Sequence, residues 1–81
     1  MIVRIKLFAA ARELTDADEL PVELPAGASF GDLRAKLAAD QPRLAAVCGR
    51  ALFAADARYV DDKEPVRTTA EIALIPPVSG G

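Results

Sequence analysis

Hydrophobic and polar positions alternate from the first residues of the chain. Val3, Ile5 and Leu7 are separated by Arg4 and Lys6, a period of two that places three apolar side chains on one face of a strand running from Ile2 to Phe8. The pattern returns between Asp18 and Leu24, where Leu20, Val22 and Leu24 share one parity and Glu19 and Glu23 the other. Pro21 has no N–H to give to a ladder, so this second strand is predicted at a sheet edge, paired with the first as a hairpin. Between them, the alanine-rich stretch from Ala9 to Thr15 reads as one helical turn, closed by the polar Thr15-Asp16-Ala17-Asp18.

The period then changes. Pro25-Ala26-Gly27 breaks the second strand, and Ser29, with Asp32 three residues on, supplies an acceptor for orphan backbone donors and a negative charge at the positive end of a helix. Phe30, Leu33, Leu37 and Ala38 follow at helical spacing, leaving Arg34, Lys36 and Asp40 to solvent, and Pro42 stops the run. The main helix is therefore predicted from Phe30 to Asp40. Leu44 to Cys48 reads as a further turn. Leu52 to Ala55 and Arg58 to Val60 read as short strands interrupted at Asp56, and Asp61 to Pro65 as a charged, solvated turn. A last strand covers Glu71 to Pro76, with Ile72 and Leu74 on one face and Ala73 and Ile75 on the other. A hairpin, one long helix and further short strands predict an α+β domain in which the helix crosses one face of a mixed sheet.

Composition narrows the function classes. The chain has 81 residues, of which 17 are alanine; it fits one small domain with a modest core, whose stability gains from a partner. Ten basic against twelve acidic residues give a net charge of −2, which offers no footprint for a polyanion, so nucleic acid is not expected as a partner. No apolar run approaches the ~20 residues that span a bilayer, and the charged start is unlike a secretory signal, so a cytoplasmic protein with no membrane contact is expected. Histidine is absent and Cys48 is the lone cysteine, which removes the commonest metal ligands and general bases. Cys48 is expected to be a small core residue, and neither metal nor bound cofactor is expected.

The chemistry that remains lies at the end of the chain, in Ile75-Pro76-Pro77-Val78-Ser79-Gly80-Gly81. Two prolines fix their own φ and push the preceding backbone toward an extended form. Four extended residues reach ~13 Å, and two glycines without Cβ atoms suit a channel too narrow for side chains. Residues 1–77 are expected to form the domain and 78–81 a flexible tail. The Gly81 carboxylate, with an α-carboxyl pKa of about 3.5, is ionised and unreactive at neutral pH, so it needs activation by another protein.

This segment, together with Leu7-Phe8-Ala9-Ala10-Ala11-Arg12-Glu13-Leu14, resembles the small, sulfur-carrying subunit of molybdopterin synthase. The resemblance implies a ubiquitin-like β-grasp fold and a non-catalytic carrier. In such a carrier an E1-like enzyme adenylates Gly81 with ATP, and a sulfur donor protein converts it to a thiocarboxylate. The tail then enters the synthase large subunit to sulfurate cyclic pyranopterin monophosphate. By the same resemblance Gly80 accompanies Gly81 at the reacting end, and Phe8, Arg12, Tyr59, Ile75, Pro76, Pro77, Val78 and Ser79 meet the partner. Tyr59 and Ile75 are assigned to an open sheet face opposite the helix, as a binding patch. Asp56 departs from the family, which often has asparagine there. Carriers for thiazole or cysteine biosynthesis, and a ubiquitin-like protein modifier, are the alternatives that composition does not separate.

Overall fold

The computed structural model describes residues 1–77. The tail expected over Val78, Ser79, Gly80 and Gly81 lies outside the described residues. Strand β1 (Ile2–Leu7) leads through α1 (Ala9–Thr15) to β2 (Glu19–Glu23), and α2 (Phe30–Asp40) follows. A 3₁₀ turn at Pro42–Leu44 and the short α3 (Ala45–Cys48) lead to β3 (Leu52–Ala55), β4 (Arg58–Val60) and β5 (Ile72–Ile75). The five strands form one mixed sheet in the order β2-β1-β5-β3-β4. β1 is antiparallel to β2 and parallel to β5, and β3 is antiparallel to both β5 and β4. This is the α+β arrangement that the alternating and helical periods predict, with β2 and its Pro21 at an edge.

The pleat sorts each strand by parity. Val3, Ile5, Leu7, Val22, Phe53, Ile72 and Leu74 are buried beneath α2, whose Phe30, Leu33 and Leu37 are each 2 % exposed or less. Phe30 and Phe53 meet with ring centroids 5.7 Å apart and planes tilted by 44°, a favourable offset geometry. Cys48, 1 % exposed, completes this core with Leu44, as its apolar surroundings in the sequence led us to expect.

The first turn of α2 has all of its backbone donors accounted for. Ser29 Oγ accepts from the Asp32 N–H at 3.1 Å while Asp32 Oδ2 accepts from the Ser29 N–H at 2.9 Å, a reciprocal capping box. Phe30 N–H donates to Glu64 O and Gly31 N–H to Asp62 O, at 2.9 and 2.8 Å. A Cβ on Gly31 would lie 3.3 Å from that Asp62 oxygen, so this close approach favours glycine. The segment from Asp61 to Pro65, expected as a solvated turn, is therefore a backbone clamp on the helix start.

Arg34 corrects a second expectation. It was assigned to solvent from its helical position, yet its guanidinium donates to Cys48 O and Ala51 O and forms a two-pronged pair with Asp62, at 3.2 and 2.9 Å. The same group stacks over the Phe53 ring, 5.2 Å from its centroid. One side chain thus ties α2 to the end of α3, the start of β3 and the loop after β4.

Candidate functional site

Among the described residues no helix covers the face of the sheet opposite α2, and its residues are those of the other parity. On β5 these are Ala73 and Ile75, on β3 Leu52 and Ala54, and on β4 Tyr59. The ladder sets them side by side: Leu52 pairs with Ile75, and Ala54 with both Ala73 and Tyr59. Leu52 is 53 % exposed and Tyr59 62 %. Half of the open face is thus an apolar patch, of the kind that marks an interaction surface. Toward β1 and β2 it becomes mixed, with exposed Ile2 beside Arg4 paired to Glu19 at 3.2 Å and Lys6 paired to Glu71 at 2.9 Å.

Tyr59 and Ile75 both lie on this face, as assigned from the sequence, but they are not adjacent. The strand between them contributes Leu52, which the sequence reading did not single out. Leu52-Phe53-Ala54-Ala55 has no polar residue to set its parity, so nothing in the sequence distinguishes outward Leu52 from inward Phe53.

The apolar patch runs to the end of the sheet where β5 passes into Pro76, half-buried, and Pro77, exposed. Because β1 and β5 are parallel, with Leu7 beside Leu74, the residues that follow β1 gather at this same end. Phe8 has an extended backbone (φ −133°, ψ 159°) and is 45 % exposed, so of the two positions open to it, core or interface, it takes the surface. Arg12, on α1, is exposed and pairs with Asp18 at 3.5 Å, a contact worth ~0–1 kcal/mol in water. Phe8, Arg12, Ile75, Pro76 and Pro77 thus share one end of the molecule. Tyr59 lies further along the face, and Val78, Ser79, Gly80 and Gly81 lie outside the described residues.

Asp56 heads the β3–β4 turn in the left-handed region, with φ 51°, followed by Ala57 at φ 63°. Asparagine and aspartate both tolerate this conformation, so the departure noted in the sequence leaves the turn intact. Asp56 also exchanges two hydrogen bonds of 2.9 Å with the Glu71 backbone, which ties the turn to the start of β5.

The remaining chemistry is sparse. Burial pushes the Cys48 thiol above its ordinary range, against a smaller downward pull from Arg34, so it is a poor nucleophile. Among the described residues no group of three or more His, Cys, Asp or Glu side chains is placed to hold a metal ion, and no helix is long and apolar enough to cross a membrane. The described domain presents an open apolar face that runs to the end of its last strand.

Comparison with known proteins adds four findings. The sequence model of the ThiS family matches residues 5–81. A protein of Chlamydomonas reinhardtii named molybdopterin synthase sulfur carrier subunit is 39 % identical, with 100 % of both chains covered. One of the same name from Arabidopsis thaliana is 34 % identical over 98 % of this chain and 82 % of its own length. Among solved structures, SAMP1 from Haloferax volcanii, a small archaeal modifier protein, superposes with a TM-score of 0.84 at 26 % identity, with both chains covered in full.

Proposed function

This chain belongs to the ThiS family, and on that premise we propose that it is the sulfur-carrying small subunit of molybdopterin synthase, acting in the cytoplasm. The observation that carries the reading is the full-length similarity to a relative named molybdopterin synthase sulfur carrier subunit, 39 % identical. The open apolar face, continuous with the end of β5, supports it by providing a seat for a larger partner.

In the proposed cycle the Gly81 carboxylate attacks the α-phosphate of ATP on an E1-like activating enzyme, releasing pyrophosphate and giving an acyl adenylate. A sulfur donor protein then supplies sulfur at the sulfide level, which attacks the Gly81 acyl carbon, breaks its bond to the AMP phosphate oxygen and leaves a thiocarboxylate and free AMP. This domain contributes no acid or base to either step. In this cycle ATP is bound by the activating enzyme. On the large subunit the apolar face docks, and Val78, Ser79 and Gly80 carry the sulfur to the cyclic pyranopterin monophosphate. Each dithiolene needs two loaded carriers, which leave as ordinary carboxylates. The carrier holds and places a group whose chemistry is not its own, in the manner of a cofactor arm.

The test is single-turnover dithiolene formation by the cognate large subunit with chemically prepared thiocarboxylate. Loaded carrier is expected to give product and unloaded carrier none. Failure of the loaded carrier would refute the assignment. The likeness to an archaeal modifier favours a second reading, conjugation of Gly81 to lysine amines of other proteins. Gly81-linked lysine peptides in digests of the native cell, without thiocarboxylate on the free chain, would favour it instead.

A further inference from the structure

Seven of the ten basic side chains sit in ion pairs with carboxylates. Among the described residues Arg43, Arg50 and Lys63 have no such pair. Of these, Arg50 has the most telling position. It lies two residues before Leu52, the register partner of Ile75, and so borders the apolar patch at the end where β5 passes into Pro76. Its backbone is held on both sides: the Arg34 guanidinium binds Cys48 O before it and Ala51 O after it, and its own N–H donates to Val47 O at 3.0 Å. Arg50 is thus an exposed cation on backbone held at both sides, next in sequence to the strand that carries Leu52.

The surrounding charge gives this cation a direction. Across the sheet, Arg4 and Lys6 of β1 are already paired, with Glu19 and Glu71. At the far margin, Asp61 Oδ1 accepts from the Lys63 N–H at 2.8 Å. On the opposite flank of the tail end, α1 and the turn after it carry exposed Glu13 and Asp16. Arg12 on the same flank is paired with Asp18, so the carboxylates left over beside α1 outnumber its cations, whereas the cation beside β3 has no pair.

We propose that Arg50 is a steering contact for the synthase large subunit, meeting an acidic rim on that subunit beside the channel that receives the tail. The inference rests on the function proposed above and adds to it a partner of stated charge at a named position. A rim charge acts mainly on the rate of encounter and on orientation, and salt screens it. The difference in unpaired charge between the two flanks favours one rotation of the carrier about its tail.

The test measures association and dissociation rates of the full chain with the cognate large subunit at low salt and at about 1 M salt, where the screening length falls to ~3 Å. Arg50→Glu is compared with Lys36→Glu, which makes the same change of net charge on α2, the helix behind the sheet. At low salt Arg50→Glu is expected to slow association on the order of tenfold, with little change in dissociation. The deficit should close at about 1 M salt, and Lys36→Glu should associate like the unmodified chain throughout. The steering role is overturned if Arg50→Glu associates at the unmodified rate at low salt, if Lys36→Glu shows the same deficit, or if the deficit survives high salt. If the unmodified chain itself does not bind the large subunit, the choice of partner fails and this inference fails with it. Normal binding of the unmodified chain with an indifferent Arg50→Glu removes only the role of Arg50.

Discussion

Leu52 of β3 and Ile75 of β5 are direct partners in the antiparallel ladder, on the sheet face turned away from α2. The pair stands where the last strand ends, and on the proposed function it belongs to the surface that meets the large subunit. Leu52→Asp and Ile75→Asp would each place a carboxylate in that contact. Each is expected to weaken binding to the large subunit by ~2–4 kcal/mol, the range of a central interface residue. Calorimetry measures the loss, and an unchanged urea midpoint shows that the domain is intact. Unaltered affinity in both variants would remove the apolar patch from the interface.

Leu37 projects from α2 into the core and is 0 % exposed. Leu37→Ala should cost ~2–5 kcal/mol, a large share of the stability of a domain this small. Urea unfolding checks it, and a shift below about half a kcal/mol would contradict a close-packed site.

The turn at Asp56 and Ala57 holds an alanine at φ 63°. A left-handed conformation costs a residue with a Cβ roughly 1–2 kcal/mol. Ala57→Gly removes that strain but adds about 0.4–1 kcal/mol of unfolded-state entropy. A net stabilisation of ~0.5–1 kcal/mol is expected from these opposed terms, read as a higher urea midpoint with the same slope.

The hydrogen bonds from Arg34 hold the Asp62 carboxyl below the usual carboxylate range, against a smaller upward push from burial. A carboxyl with a lowered folded-state pKa contributes stability that is present above its unfolded value, near ~3.9, and is lost as pH falls through the folded value. Asp62→Asn should therefore be less stable than the unmodified chain at neutral pH, and the gap should narrow as pH drops below about 4. Urea unfolding at stepped pH measures it, and a gap that stayed constant would show that the carboxylate charge does not matter there.

Much of the architecture was legible because local pattern and tertiary role agree. The alternation of Val3, Ile5 and Leu7, the alternation of Ile72 and Leu74, and the pairing of Ser29 with Asp32 each depend on residues a few positions apart. Pro21 placed its strand at an edge for a reason intrinsic to proline. Arg34 was misread because its partners are carbonyls 14 and 17 residues away and a carboxylate 28 away, brought together only by the fold. Asp62 was misread for the same reason, since a charged turn and a helix clamp have the same composition. Leu52 was hidden by an unbroken apolar run. The tail was conspicuous through Pro76-Pro77 and Gly80-Gly81, and its expected role came from resemblance, because no spacing or periodicity encodes adenylation.

On the proposed function, the Gly81 carboxylate is the group this protein presents. Deleting Gly81 withdraws the terminal carboxylate by ~3.3 Å, and a misplacement of about 1 Å can cost 100-fold in rate. A residue added after Gly81 occupies the position to be adenylated. The decisive measurement is the intact mass of full-length, truncated and extended chains after incubation with activating enzyme, ATP and sulfur donor. The account predicts that the full-length chain gains the mass of one sulfur in exchange for one oxygen, localised to Gly81, while the truncated and extended chains stay unchanged. No exchange in the full-length chain, or equal exchange in all three, would contradict it.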